Sequence, residues 1–320
     1  MRRCVFTLLG VGNHWATLAV WTERLDAYFP QQTIMNRKHT VTPERLAAQR
    51  YTPEQLKTLW GKLHLTDREP WPGRSEITRA MSGQPDFAAW VREQGGPQAL
   101  AAALQAAWAE FHAGDFTRAI ELGAALGALG ACVANRAAAV ESLYTRSGPR
   151  VVADMLLAAV ERGERATEAL PEHANTHYTL ALVLGRYSQR ISIAKAITDG
   201  LAGRVKEHLQ RTLELEPRHA EAHVALGLYN AEIVHKLGGV VASLTYGVSA
   251  RAAIEHFRRA VQLAPRSPIV HMEYAYGLLL LDADGHREEA EKLYREAAEC
   301  EPLDAMEALD VARAKRGVPG

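Results

Sequence analysis

The chain has 320 residues, of which 48% are hydrophobic and 23% are charged, as is ordinary for a folded globular protein. Its 37 basic and 37 acidic residues cancel, so the overall charge gives no sign of binding to nucleic acid or to an anionic membrane. Alanine is abundant and strand-favouring runs are rare, which predicts an all-α protein. The 3 cysteines are widely separated and form no CxxC pair, which argues against a disulfide framework and favours a reducing compartment.

The first stretch, residues 1–34, carries mixed signals. Two arginines precede an apolar run that Gly10 interrupts, so we expect neither a working export signal in residues 1–30 nor a bilayer-spanning segment there. Met35 is followed by polar residues and a new helical start. We therefore interpret residues 1–34 as a poorly ordered extension, which could lie upstream of the true start codon. A cytoplasmic location in a bacterial cell is the expectation that follows.

A small helical N-terminal region is predicted over residues 35–97. Thr52 precedes Pro53 and Glu54, which places a hydroxyl at the cap, proline in the first turn and a carboxylate near the positive end of the helix. An apolar stripe at helical spacing follows, formed by Leu56, Leu59, Trp60 and Leu63. Beyond it, Trp71 stands between two prolines, and we interpret it as packing on a neighbouring helix rather than as a binding aromatic.

A longer helical stretch is predicted to begin at Gln98. It turns at Gly114 and Asp115 and then continues as a helix to about Leu129. Three glycines recur on this second helix every three to four residues, at positions 123, 127 and 130. Because glycine disfavours a helix interior, this recurrence predicts close contact with a neighbouring helix.

One helix pattern is written twice near the C-terminus. The two copies are Ala253, Phe257, Ala260 and Pro265, and then Ala290, Tyr294, Ala297 and Pro302. A small residue, an aromatic residue one turn later, a second small residue and a closing proline are typical of a helix that packs on the preceding helix. The same spacing recurs with weaker residues at Val205, Leu209, Thr212 and Pro217.

This spacing resembles the second helix of a tetratricopeptide repeat, and first-helix positions are visible at Leu184-Gly185 and Leu226-Gly227. The resemblance covers roughly residues 98–302. The steps from Pro171 to Pro217 and from Pro217 to Pro265 are 46 and 48 residues, however, whereas a plain repeat has about 34 residues. The additional length falls at residues 188–203 and 231–249. Such inserts are similar to those of a divergent branch that includes the regulator of microtubule dynamics family and the T component associated with TRAP transporters.

The predicted fold is therefore all-α: a TPR-like, right-handed helix-pair solenoid with elongated repeats over residues 98–320, preceded by the small helical N-terminal region. The resemblance implies that first helices line a concave surface, which suits an extended peptide or a partner helix. Two parallel stretches, beginning at Gly185 and Gly227, supply the candidate residues. The predicted groove is lined by Tyr187, Arg190, Asn230, Glu232, Lys236 and Tyr246. The alternative is that Tyr187 and Tyr229 pack between repeats while the polar groups are simply solvated.

Motifs for chemistry are absent from the sequence. There is no nucleophile elbow, phosphate loop or dinucleotide fingerprint, so we expect no enzyme and no cofactor. His173 and His177 share a helix face, as do His219 and His223, but each first histidine is followed by alanine, not by the glutamate of a zincin. Both pairs follow a repeat-closing proline, so we interpret them as junction residues and expect no metal site.

The leading functional hypothesis is a non-catalytic interaction or scaffold protein that binds a peptide or helix in a concave groove. The alternative, implied by the resemblance to the transporter-associated component, is a small-molecule-binding accessory protein with an enclosed apolar chamber. Residues 238–247 are apolar and flanked by glycines, and could form a lid, a docking segment or a re-entrant part of the core. An apolar pocket beneath them would favour the small ligand, and an open surface would favour a protein partner. An enzyme would require convergence of Arg186, Arg190, Lys195 and Glu232.

Overall fold

The computed structural model describes residues 50–317 except Gly83 and Arg146, and these residues belong to one structural unit, Thr42–Gly320. The prediction for residues 1–34 lies outside the described residues. The all-α prediction is confirmed, because the described part of the chain forms helices joined by turns and contains no strand. In chain order the helices are α1 (Pro53–Leu63), α2 (Arg74–Ala80), α3 (Pro85–Glu93), α4 (Gly96–Ala113), α5 (Phe116–Ala124), α6 (Ala131–Tyr144), α7 (Pro149–Ala169), α8 (Ala174–Ser188), α9 (Ile193–Thr198), α10 (Leu201–Leu215), α11 (Ala220–Leu237), α12 (Gly239–Tyr246), α13 (Ala250–Leu263), α14 (Pro268–Leu281), α15 (Arg287–Ala298) and α16 (Ala305–Gly317).

Helix α1 begins where the cap signal places it. The Thr52 hydroxyl accepts a hydrogen bond from the Gln55 backbone N–H at 3.3 Å, and the Gln55 side chain accepts one from the Thr52 N–H at 2.9 Å. Two residues of the predicted apolar stripe, Leu56 and Trp60, are buried. Trp71 lies edge-on to Trp60 with ring centroids 5.1 Å apart, which confirms its packing role.

Helix α5 ends at Ala124, so the prediction that it continues to about Leu129 is wrong. A turn at residues 125–130 separates it from α6. The cause is the close approach of Gly123 and Gly130, since a Cβ added at Gly123 would lie 2.8 Å from the Gly130 carbonyl oxygen. The glycines therefore allow two consecutive helices to meet backbone to backbone, as the recurrence predicted, but they do so across a turn.

The repeated small-aromatic-small pattern forms buried faces. In α13 the pattern residues Ala253, Phe257 and Ala260 are fully buried, and the corresponding residues of α15 are buried as well. Phe257 inserts between α11 and α14, where a Cβ at Gly227 would lie 2.6 Å from its ring and a Cβ at Gly277 would clash with it. The glycine of the first-helix pattern is thus the position that admits the aromatic residue of the second helix.

Consecutive helices pair and the pairs stack. Helices α4 with α5, α6 with α7, α8 with α10, α11 with α13 and α14 with α15 pack on one another, while α6 also packs on α8 and α11 on α14. The inserts between paired helices contain the short helices α9 and α12. Within residues 50–317, apart from Gly83 and Arg146, no helix is both long and apolar enough to cross a bilayer.

The stack returns to its beginning. Helix α16 packs against α4, and the Tyr51 hydroxyl donates to the Leu303 carbonyl oxygen just before α16. The inner side of the stack is therefore bounded by helices from both ends of the described chain. Helix α4 begins at Gly96, and the boundary predicted between residues 97 and 98 stays a prediction.

Candidate functional site

The residues predicted to line a groove lie in different surroundings. Tyr187, near the end of α8, is 7% exposed and packs in an apolar cluster with Leu184 and Leu201. Arg190 is half-buried, and its Nη2 donates to the Ser142 carbonyl oxygen at 2.8 Å. These two side chains join α8 to its neighbours, which corresponds to the alternative that the sequence left open for Tyr187.

Asn230 also has a packing role, on α11. It is buried, and its Nδ2 donates to the Leu226 carbonyl oxygen at 2.8 Å. Its Oδ1 accepts from the Ser249 backbone N–H at 3.2 Å, and Ser249 is the N-cap of α13. A single amide therefore fixes the start of α13 on α11.

The other three predicted residues lie at the surface. Glu232 and Lys236 form an exposed ion pair at 3.3 Å, one helical turn apart on α11. Tyr246 closes α12 with 37% of its surface exposed, and its carbonyl oxygen accepts from Lys206 Nζ at 2.8 Å. The structure thus keeps half of the predicted set available for contact with other molecules.

Helix α12 presents apolar side chains to solvent. We call this surface the α12 patch; it consists of Leu237, Val240, Val241, Leu244 and Tyr246. Val240 is 76% exposed and Leu244 is 84% exposed. Gly238 and Gly247 bound the helix with φ of 76° and 63°, which glycine adopts without strain. The segment therefore forms a short separate helix that rests on the stack through Ala242, which is fully buried.

A loop of residues 64–72, called here the inner loop, enters the inner side of the stack. The Thr66 hydroxyl donates to Glu221 Oε1 at 2.5 Å, and the Thr66 carbonyl accepts from the Glu221 N–H at 3.2 Å. The Asp67 carbonyl accepts from Asn175 Nδ2 at 2.9 Å. The loop backbone is therefore held by the Asn175 side chain of α8 and by the Glu221 backbone N–H of α11, while the Glu221 carboxylate holds the Thr66 side chain.

Arg136 of α6 is the electrostatic centre of this region. Its Nη2 lies 2.5 Å from Glu221 Oε1, and its Nη1 lies 3.1 Å from Asp67 Oδ2 as an ion pair without hydrogen-bond alignment. Burial alone would raise the pKa of both carboxyls. For Glu221, burial is opposed by the charge of Arg136 and by hydrogen bonds from Arg136 and Thr66, which together lower its pKa. For Asp67, His64 and Arg136 together overcome burial and hold the pKa far below its usual range. Both carboxylates are therefore ionised at neutral pH.

Two histidines connect Asp67 with Asp304, which precedes α16. His64 Nδ1 lies 3.0 Å from Asp67 Oδ1, the two Nε2 atoms of His64 and His112 are 3.2 Å apart, and His112 Nδ1 lies 2.6 Å from Asp304 Oδ2. These three hydrogen bonds need three ring N–H groups, whereas two neutral imidazoles supply only two. Burial disfavours a charged ring here and lowers the pKa of His64, although Asp67 opposes this effect.

The space beside this network is small, and both polar and apolar side chains line it. A cavity of about 30 Å³ is lined in part by Arg136, Glu221, Asp304 and Asp310, which leaves room for about one or two water molecules. It lies away from residues 238–247, whose large side chains face solvent. This cavity therefore differs in place from the apolar chamber of the small-molecule hypothesis, and it is far smaller than a ligand pocket.

His177 and His223 occupy equivalent places in α8 and α11. His177 Nε2 lies 3.0 Å from the Pro171 carbonyl oxygen, and His223 Nε2 lies 3.2 Å from that of Pro217. Each contacts the proline six residues earlier, so the two junctions are equivalent. His173 points elsewhere, with Nδ1 3.9 Å from Cys132 Sγ. The spacing of four residues therefore does not bring His173 and His177 to a common partner.

Sequence reasoning missed the inner loop as a functional element. The signal available in the sequence was a run of four polar and charged residues, 66–69, between two tryptophan-containing segments. Nothing local indicates that Thr66 pairs with Glu221, because the two residues are 155 positions apart.

The fold and the site together define a helical-repeat protein with elongated inter-helix segments and a polar interior. A sequence profile described as Regulator of microtubule dynamics protein 1-3 matches residues 134–315, more than half of the chain, and the chain belongs to this family. Regulator of microtubule dynamics protein 3 of Bos taurus is 26% identical over 115 residues, which are 34% of this chain and 24% of the relative. The chain thus spans about a quarter of the curated relative that it matches. The stated resemblance to this family is confirmed, while the tetratricopeptide assignment stays a prediction.

Proposed function

We propose that the chain is a non-catalytic protein-interaction module that docks a partner protein on the α12 patch. The observation that carries this proposal is the solvent exposure of Val240 and Leu244 on one short helix, 76% and 84%. Single exposed apolar residues are common, but an adjacent group of five along ten residues is the kind of surface that partners cover.

The chemistry of the patch favours the apolar face of an amphipathic helix in the partner. Aliphatic side chains at helical spacing match another helix well, and the Glu232–Lys236 pair supplies a polar rim beside them. An anionic membrane is a poorer match, because the chain has balanced charge and the patch has no cluster of basic residues. Glu232, Lys236 and Tyr246 remain binding residues in this proposal, whereas Tyr187, Arg190 and Asn230 act in packing.

Family membership supports the same general role. The relative's name concerns the regulation of microtubule dynamics, and we carry over to this chain only the idea that it acts by contacting another protein. Polymerised tubulin is therefore one defined partner to test, by co-sedimentation of wild type and of a Val240→Ser, Leu244→Ser variant.

Site-specific photo-crosslinking in the source cells tests the proposal directly. A photoreactive phenylalanine analogue replaces Leu244 in one variant and Val151, which is 59% exposed on α7, in the matched control. We expect a discrete protein adduct from position 244 that disappears when Val240→Ser is added, and no such adduct from position 151. Equal labelling at both positions would contradict the proposal, as would an adduct to lipid. An adduct to a second copy of the chain would replace the proposed partner by self-association.

A further inference from the structure

Three elements that are distant in sequence bring metal-binding atoms together beside the inner loop. Glu69 belongs to that loop, Cys132 lies in the first turn of α6, and His173 is the residue before α8. One side-chain ligand atom from each of the three lies within 4.8 Å of the other two. Cys132 Sγ is 3.9 Å from His173 Nδ1, and His173 Nε2 is 3.7 Å from Glu69 Oε1.

Glu69 gives an independent indication of a ligand. The residue is 8% exposed, and its Oε2 has no hydrogen-bond partner among the described residues. A buried carboxyl oxygen without a partner is costly, so native structures almost always provide one. The backbone of the same residue is well held, because its carbonyl oxygen accepts from Trp60 Nε1 at 2.7 Å. The carboxyl group is therefore positioned firmly while one of its oxygens is unsatisfied.

We propose that Glu69, Cys132 and His173 bind one Zn²⁺ ion, with a water molecule as the fourth ligand. Thiolate, imidazole and carboxylate are the three donor types that zinc takes in proteins. In a tetrahedral zinc site such donors are separated by about 3.3–3.6 Å. One ring nitrogen of His173 would bind the ion, so the three ligand atoms, which now lie within 4.8 Å of one another, would approach by up to about 1–1.5 Å. Cobalt and cadmium accept the same donors, whereas Mg²⁺ and Ca²⁺ disfavour sulfur.

The surroundings allow an ion to enter and to be held. The His173 side chain is 23% exposed, so one side of the cluster is open to solvent. Glu69 and Cys132 are buried. The bound ion would tie the inner loop to the starts of α6 and α8. This role is separate from docking on the α12 patch, and it reverses the expectation of no metal site. In the sequence, His173 is paired with His177 by its spacing of four residues. In the fold, His173 lies beside Cys132 and Glu69 instead.

Zinc titration of the full chain tests the proposal. The chain is stripped with a chelator and titrated with Zn²⁺ against a chromogenic chelator, and bound metal is counted by mass spectrometry. We expect one tight zinc per chain, with affinity reduced at least about 100-fold in Cys132→Ser and in Glu69→Gln. The matched control is Cys300→Ser, which removes the other described thiol and should bind zinc as wild type does.

Cobalt and thermal measurements separate a site from a folding defect. Co²⁺ should give a thiolate-to-metal charge-transfer band in wild type and in Cys300→Ser, but not in Cys132→Ser. In chelator, the melting temperatures of Cys132→Ser and Glu69→Gln should stay close to that of wild type, and zinc should raise only the wild-type value. The proposal is overturned if wild type binds no stoichiometric zinc, or if Cys132→Ser binds it equally well. Should both variants unfold in chelator, loss of the cobalt band in His173→Gln decides the question.

Discussion

Replacing Arg136 by methionine should be among the most destabilising single changes in this protein. The guanidinium lies between two buried carboxylates, 2.5 Å from Glu221 Oε1 and 3.1 Å from Asp67 Oδ2. Methionine fills much of the same volume but leaves both carboxylates in the interior without a cation. Glu221 keeps hydrogen bonds from Tyr178 and Thr66, and Asp67 keeps its contact with His64, so part of the stabilisation survives.

The magnitude follows from the burial of the pairs. A charge pair at about 4 Å contributes roughly 4 kcal/mol at an effective dielectric constant near 20, and truncating one partner of a buried pair costs about 3–5 kcal/mol. We therefore expect the free energy of unfolding to fall by about 3–5 kcal/mol in Arg136→Met. The matched control is Arg251→Met, because Arg251 pairs with Glu255 while 89% of its side chain is exposed, and such exposed pairs contribute little to stability.

Urea unfolding followed by circular dichroism measures both variants, and hydrogen exchange measures the amides of residues 64–72. Arg136→Met should lose protection in the inner loop before global unfolding, whereas Arg251→Met should not. A double-mutant cycle with Glu221→Gln should show coupling of about 1 kcal/mol or more. If Arg136→Met costs no more than Arg251→Met, or if inner-loop protection is unchanged, the electrostatic reasoning is refuted.

Three further outcomes follow from single positions. Gly277→Ala should cost about 1–3 kcal/mol of unfolding free energy, because the added Cβ would be forced against the Phe257 ring. Gly185→Ala should stabilise the protein by about 0.5–1 kcal/mol, because a Cβ there meets nothing within 4 Å. Thermal unfolding of both variants tests this packing argument, and equal effects would contradict it. Arg68 has φ of 57°, so Arg68→Gly should be neutral or stabilising by up to about 1 kcal/mol in urea unfolding, and a loss above that size would be inconsistent with backbone strain. Burial raises the pKa of Glu307 to about 7 from 4.5, so the folded state holds the proton more tightly and stability falls as pH rises from about 4.5 to about 7. In Glu307→Gln, up to about 2 kcal/mol of this loss of stability should disappear. Urea unfolding should therefore give similar stabilities for the variant and wild type near pH 4.5, and a more stable variant near pH 7.

The sequence by itself determined the local architecture. Thr52 and Pro53 marked the start of α1 because capping depends only on residues within one turn. Phe257 and the small residues around it marked a buried helix face because helical periodicity brings residues four apart to one side. The same local patterns carried the resemblance to the family to which the chain belongs.

The exposed segment was also visible in the sequence, but its state was not. Residues 238–247 read equally well as lid, docking segment or core, because an apolar run has the same composition whether a neighbour covers it or not. The packing of the helices determines that α12 buries Ala242 against the stack and leaves Leu244 exposed to solvent. Tyr187 shows the converse, since its position after Gly185 suggested a groove while Leu201 and its neighbours enclose it.

The polar interior was decided by tertiary structure alone. Three separate elements supply Arg136, Asp67 and Glu221. In the sequence, each of these residues looks like an ordinary charged residue of the surface. They become a buried network because α6, the inner loop and α11 converge, and because burial makes each charge depend on the others for its stability. Periodicity records which face of a helix is apolar, but it carries no information on which distant polar group will meet it there.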